Sequence, residues 1–188
     1  MNNPTAKAVM ISIQSRWCAE IANGRKTVEV RKDMPKIEVP FTCYIYCTKK
    51  PPYLVPDYVF CGDRIPEYRT IPRRFLKRTD IFENAMNGQI IGEFICNKIT
   101  KIESRGVLNN YSYCYLPLTV FGNDDIEPEI RAISKSSITQ EELNAYGAGH
   151  TQLYAWRISD LKIYSQPKLL EEFDLKHPPQ SWCYVDDK

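Results

Sequence analysis

Apolar residues alternate with others at Val9, Ile11 and Ile13 against Met10 and Ser12, a period of two that predicts a first strand over 9–13. Ser15 then offers an N-cap, Trp17 and Ile21 stand one helical turn apart, and Gly24 follows Asn23 as a stop, which predicts a short helix over 16–23. Alternation returns at Thr27-Val28-Glu29-Val30-Arg31 for a second strand, and the β-branched and aromatic run 41–47 predicts a third. Gln89 to Ile102 reads as a long strand bent at Gly92. Thr139 and Glu142 form a capping box, Ile138 and Leu143 a hydrophobic staple, and Gly147 a stop, so a helix is expected over 140–146. Leu153 to Tyr164 is strand-like, with Tyr154, Trp156 and Ile158 on one face and a bulge at Asp160. Residues 167–173 predict one or two helical turns, and 178–185 a last strand docked by Trp182.

Two segments break the pattern. Residues 50–88 carry prolines at 51, 52, 56, 66 and 72 and read as an insertion or long loop with a short helix near Arg73 to Ala85; residues 104–136 are polar and irregular. Too few helices separate the strands for a doubly wound parallel sheet. The expected architecture is α+β: one domain over 1–188, a small, mostly antiparallel β-barrel with peripheral helices and insertions at about 50–88 and 104–136.

Composition narrows the choice of partners. The 188 residues are 43% hydrophobic and 26% charged, which suits a globular core and not a disordered chain. No apolar run approaches the roughly 20 residues that span a bilayer, and the N-terminus lacks the pattern of a secretory signal, so the expectation is a cytoplasmic protein without a membrane partner. Seven cysteines, an odd number with no CxxC pair, read as buried thiols in a reducing compartment. Cys43 and Cys47 would share a strand face about 13 Å apart, too far for one zinc. His150 and His177 lie far from them in sequence. No metal and no organic cofactor are expected. The net charge of +2 argues for nothing by itself, but six basic residues (Arg64, Arg69, Arg73, Arg74, Lys77 and Arg78) face one acid, Glu67, with Tyr68 and Phe75 interleaved. That segment fits a phosphate-contacting patch and a solvated surface insertion equally.

The segment richest in candidate chemistry is Gly24-Arg25-Lys26-Thr27-Val28-Glu29-Val30-Arg31. Alternation sets Thr27, Glu29 and Arg31 opposite Val28 and Val30, with Lys26 at the mouth of whatever those three line. A lysine, a carboxylate and an arginine this close can bind phosphate, hold a base edge or move a proton; spacing alone favours the plainer reading, a surface Glu29–Arg31 ion pair worth about 0–1 kcal/mol. Trp17, Trp156 and Trp182 offer surfaces for base stacking or simply pack the core.

The run ISIQSRWCAEIANGRKTVEVRK resembles the opening of an ASCH domain, and GQIIGEFICNKI, LYAWRISDLKIY and PPQSWCYV resemble that family's central and C-terminal strands, in versions from bacteria and phages. The resemblance implies a PUA-like barrel and an RNA-binding cleft beside the first helix and second strand. Carried to this chain, the cleft would contain Gln14, Lys26, Glu29 and Arg31, bordered by Thr48 and Lys49. Arg16 and Trp156 are further candidates for ligand binding, beside the resemblance. Some small relatives remove acetyl from a modified cytidine with a lysine, a threonine nucleophile and a glutamate. Lys26 matches the lysine, but Glu29 stands at the nucleophile position, Thr27 is out of register, and no residue matches the acid.

The leading expectation is therefore a binder of RNA or a modified nucleotide. The alternative is a metal-independent hydrolase, ribonuclease or amidohydrolase, in which Lys26 and Glu29 are catalytic. A third reading is a protein-interaction module. Neither the oligomeric state nor the base preference follows from the sequence.

Overall fold

A computed structural model describes residues 7–57, 66–75, 84–106, 113–117 and 138–188. Nine strands and two α-helices lie in these residues: β1 Lys7–Ile13, α1 Ser15–Ala22, β2 Val28–Arg31, β3 Phe41–Cys47, β4 Tyr53–Asp57, β5 Glu67–Ile71, β6 Ile90–Gly106, β7 Tyr113–Pro117, α2 Gln140–Gly147, β8 Gln152–Lys168 and β9 Trp182–Asp186. Single 3₁₀ turns occur at Arg73–Phe75 and Leu170–Phe173. The chain forms two compact units. The first holds residues 1–25, 41–95 and 160–188; the second holds residues 26–40 and 96–159.

In the first unit the strand order is β8-β6-β3-β1-β9. β1 pairs with β3 in parallel and with β9 antiparallel. One face of the sheet collects Ala8 and Met10 from β1, Tyr44 and Tyr46 from β3, Ile90, Tyr164 and Val185, and is closed by Leu170 and Phe173. Val185 is buried at 8% exposure while Trp182 is only half-buried, so the last strand docks through Val185, not through Trp182 as its size suggests. Gly92 is required by close approach: a Cβ there would stand 2.4 Å from the Lys162 carbonyl oxygen of the neighbouring strand. β4 and β5 form a separate antiparallel pair that packs on α1. The Asn23 side chain reaches this pair, donating to the Tyr68 carbonyl at 2.7 Å and accepting from its N–H at 2.8 Å.

In the second unit β2 pairs antiparallel with β8, and β6 with β7. Val28, Val30, Ile102, Leu143, Leu153 and Ala155 make its core, with Ile138 against them. The capping box of α2 is formed in both directions: Glu142 N–H donates to Thr139 Oγ1 and Thr139 N–H to Glu142 Oε2, each at 3.1 Å.

Several expectations are corrected. The strands of the described residues form open, mixed sheets; among them no closed barrel is found, and β1 and β3 run parallel. The α+β class stands. The proline-rich stretch contains the β4–β5 hairpin, because Pro56 sits in a two-stranded ribbon where each strand has an unpaired side that needs no donor. β7 lies inside the segment expected to be irregular. Ser15 is the first residue of α1 rather than its cap; Gln14 holds the cap position, and Ser15 Oγ donates to the Pro52 carbonyl at 2.6 Å. Of the helix expected near 73–85, residues 76–83 lie outside the described residues and 73–75 are a 3₁₀ turn. Residues 118–136 also lie outside them.

Candidate functional site

A cavity of about 530 Å³ opens in the first unit at the C-terminal ends of β1 and β3. It continues the face that makes the core. Met10 is in register with Tyr44 and Ser12 with Tyr46, so one row of side chains passes from apolar Ala8, Met10 and Tyr44 to polar Ser12, Tyr46 and Thr48. Two long-range bonds set the walls. Ser12 Oγ donates to the Pro179 carbonyl at 2.6 Å and holds the 178–180 segment, while the Ser15 bond holds Pro52. Pro51, Pro52, Pro178 and Pro179 give the lining apolar surface; Gln14 and Gln180 add amides.

The charge of the lining has one sign. Arg16, Lys49 and Lys50 border the cavity, and among the described residues no carboxylate does. Arg16 comes from the first turn of α1, where the helix end itself carries partial positive charge. Its guanidinium lies 4.0 Å from the Trp17 ring centroid. The stem of Lys49 rests on Gly88: a Cβ at Gly88 would meet Lys49 Cγ at 3.0 Å, and the backbone there is left-handed, φ 83°. The bare glycine leaves room for that stem, and its left-handed conformation is one that side chains rarely adopt.

Tyr46 is 1% exposed, and its hydroxyl has no hydrogen-bond partner among the described residues. Burial, followed by the neighbouring Cys47, pushes its pKa up, so it is neutral at physiological pH. An unsatisfied buried hydroxyl costs about 1–3 kcal/mol.

The second unit gathers another charged group. Glu29 pairs through Oε2 with Lys26 Nζ at 3.3 Å and through Oε1 with Arg31 Nη2 at 2.9 Å. All three are buried, Lys26 to 1% exposure. Lys26 therefore lies inside the unit instead of at a mouth. β8 provides the frame: Glu29 is in register with Trp156 and Arg31 with Tyr154, and Trp156 is fully buried. The opposite face of β2 carries Val28 and Val30 into the core, as the alternation requires.

The eight expected site residues thus fall into two groups. Gln14, Arg16, Thr48 and Lys49 line the cavity of the first unit; Lys26, Glu29, Arg31 and Trp156 cluster in the second. Sequence reasoning missed Ser12, Tyr46, Lys50 and the 178–180 wall. It also missed Asn87, which ties down the cavity's basic loop, although Asn87-Gly88 is a turn signal. In the basic segment, Arg73 and Arg74 are exposed, Arg69 pairs with Asp57 at 3.2 Å and Tyr68 is buried; Arg64, Lys77 and Arg78 lie outside the described residues.

Among the described residues no group of three or more His, Cys, Asp or Glu side chains is placed to hold a metal, and no helix is long and apolar enough to cross a membrane. Cys18, Cys43, Cys47, Cys96 and Cys183 are free thiols.

No family model matches the chain, and no curated protein matches it in sequence. Its fold is that of an ASCH domain. The crystal structure of ASCH from Zymomonas mobilis superposes with a TM-score of 0.56 at 15% identity, covering 96% of this chain and 88% of that one. A tyrosine-to-phenylalanine variant of the same protein gives 0.56 at 15% identity, over 97% and 92% of the two chains. A serine-to-alanine variant gives 0.56 at 16%, over 98% and 92%.

Proposed function

We propose that this protein binds RNA or a nucleotide, modified or not, in the cavity of its first unit, with phosphate on Arg16, Lys49 and Lys50. The observation that carries the reading is the lining itself: among the described residues, three cations, no carboxylate and a polar row from Ser12 to Thr48 around about 530 Å³. Small-ligand sites occupy roughly 300–1,000 Å³ and combine apolar walls with a few placed polar groups. The proline walls offer flat apolar surface to a base, and the cations suit phosphate. The ASCH fold and the ASCH-like sequence runs support the same reading. The five free thiols of the described residues suit a reducing compartment, and a cytoplasmic location is part of the proposal.

A hydrolase acting through Lys26 and Glu29 has less support, because both side chains are buried and bound to each other in an ion pair. The test is titration of short single-stranded RNAs and nucleoside monophosphates at several salt concentrations. Affinity should fall with salt. Each of Arg16→Glu, Lys49→Glu and Lys50→Glu should weaken binding and make the logarithmic salt dependence shallower, by about 0.7 for every single-strand phosphate that is no longer neutralised. Binding that is indifferent to salt and to all three reversals would overturn the assignment of phosphate to this rim.

A further inference from the structure

One group in the lining of the cavity takes no part in holding phosphate. Tyr44, Tyr46 and Tyr164 are buried in the core of the first unit. The Tyr44 hydroxyl donates to Asp187 at 2.8 Å, and the Tyr164 hydroxyl donates to Glu93. The Tyr46 hydroxyl has no partner among the described residues, although its residue is the one in register with Ser12 at the floor of the cavity. A phenylalanine would fill the same core position without leaving a buried polar group unsatisfied.

Resting on the binding reading above, we infer that Tyr46 is a specificity-determining residue, whose hydroxyl hydrogen-bonds a polar edge of the base of a bound nucleotide while the phosphate stays on the cationic rim. The direction of entry follows from charge. Lys49, Lys50 and Arg16 are exposed. A phosphate at the floor would exchange water for one neutral hydroxyl and lose its solvation, whereas at the rim it meets three cations. A base has the reverse needs: its faces suit the proline walls, and its amino or carbonyl group suits a hydroxyl that both donates and accepts. Burial keeps that hydroxyl protonated, so it works as a hydrogen-bonding group and not as an anion. The hydroxyl is closed to water, so a base that reaches it does not compete with solvent for the bond.

The experiment is calorimetric titration of wild type and Tyr46→Phe with adenosine, guanosine, cytidine and uridine monophosphates and with inorganic phosphate. Wild type should prefer one or two of the four bases. Tyr46→Phe should fold with an unfolding midpoint at or above that of wild type, because it loses only an unpaired hydroxyl. It should bind inorganic phosphate as wild type does, and its discrimination among the four bases should shrink by about tenfold or more. Unchanged discrimination, equal binding of all four bases by wild type, or parallel loss of phosphate binding overturns the inference alone. Failure of wild type to bind any of the nucleotides overturns the cavity reading and this inference with it.

Discussion

Asn87 holds the carbonyl of Thr48 through its side-chain amide at 3.0 Å. The same nitrogen lies 3.1 Å from the Lys50 carbonyl and 3.2 Å from that of Pro52, and the amide oxygen accepts from Leu54 N–H at 2.7 Å. One side chain therefore gathers the turn that carries Lys49 and Lys50, and the next residue, Gly88, supports the Lys49 stem.

Asn87 is accordingly a positioning residue. Asn87→Ala should lower stability by about 1–3 kcal/mol, as expected when part-buried backbone groups lose their partner. It should also weaken nucleotide binding more than Lys50→Ala does, because both lysines lose their fixed positions. Asn87→Asp keeps the acceptor for Leu54 but turns a carboxylate oxygen on three carbonyls, and should be worse than alanine. Urea unfolding and nucleotide titration check both; intact binding in a destabilised Asn87→Ala would make the residue purely structural.

Alkaline pH should destabilise the fold. Burial pushes the Cys96 thiol from its ordinary 9 up to about 12. Burial foremost, opposed by the bond to Lys188 and helped by Asp187, pushes the Tyr44 hydroxyl from 10 up to about 12. Each group keeps its proton in the folded protein at pH values where the unfolded chain has released it, so stability falls as pH rises through that interval. The urea midpoint should stay level to about pH 9 and then decline towards 12, with a shallower decline above 10 in Tyr44→Phe. A midpoint that rises above pH 9 would contradict the sign.

The elements that were legible in the sequence are those written in local pattern. The 41–47 run matches β3 residue for residue, and the Thr139–Glu142 box matches the start of α2. Pro56 hid the β4–β5 hairpin, since a proline counts against a strand unless the strand has a free edge. Of the residues that line the cavity, the family resemblance points to Gln14, Thr48 and Lys49 but sets Lys26, Glu29 and Arg31 beside them, which do not line it. Tyr46 was not legible, because alternation places it with Tyr44, and nothing local tells which end of that row leaves the core. The answer depends on Ser12 meeting Pro179, 167 positions away, and on Ser15 meeting Pro52. Alternation likewise set Glu29 and Arg31 on one face of β2 but was silent on the burial of that face, which Tyr154 and Trp156 of β8 share.

That burial decides what Glu29 does when altered. Its two oxygens bind Lys26 and Arg31 inside the second unit. Glu29→Gln leaves two buried cations without the carboxylate they share, a change that costs roughly 3–5 kcal/mol when one partner of a buried pair is removed. Lys26→Met should cost less, because Glu29 keeps Arg31 at 2.9 Å and the methionine stem fills the same space. A catalytic Glu29 predicts the opposite pattern: an intact fold, with turnover of RNA or a modified nucleoside reduced by roughly 10²–10⁴ as a general base is lost. Urea unfolding of wild type, Glu29→Gln and Lys26→Met, with product analysis on short RNAs and modified nucleosides, separates the two. A large loss of stability without any wild-type product assigns the cluster to the architecture of the second unit. Unchanged stability with lost product assigns it to chemistry and makes the hydrolase reading the better one.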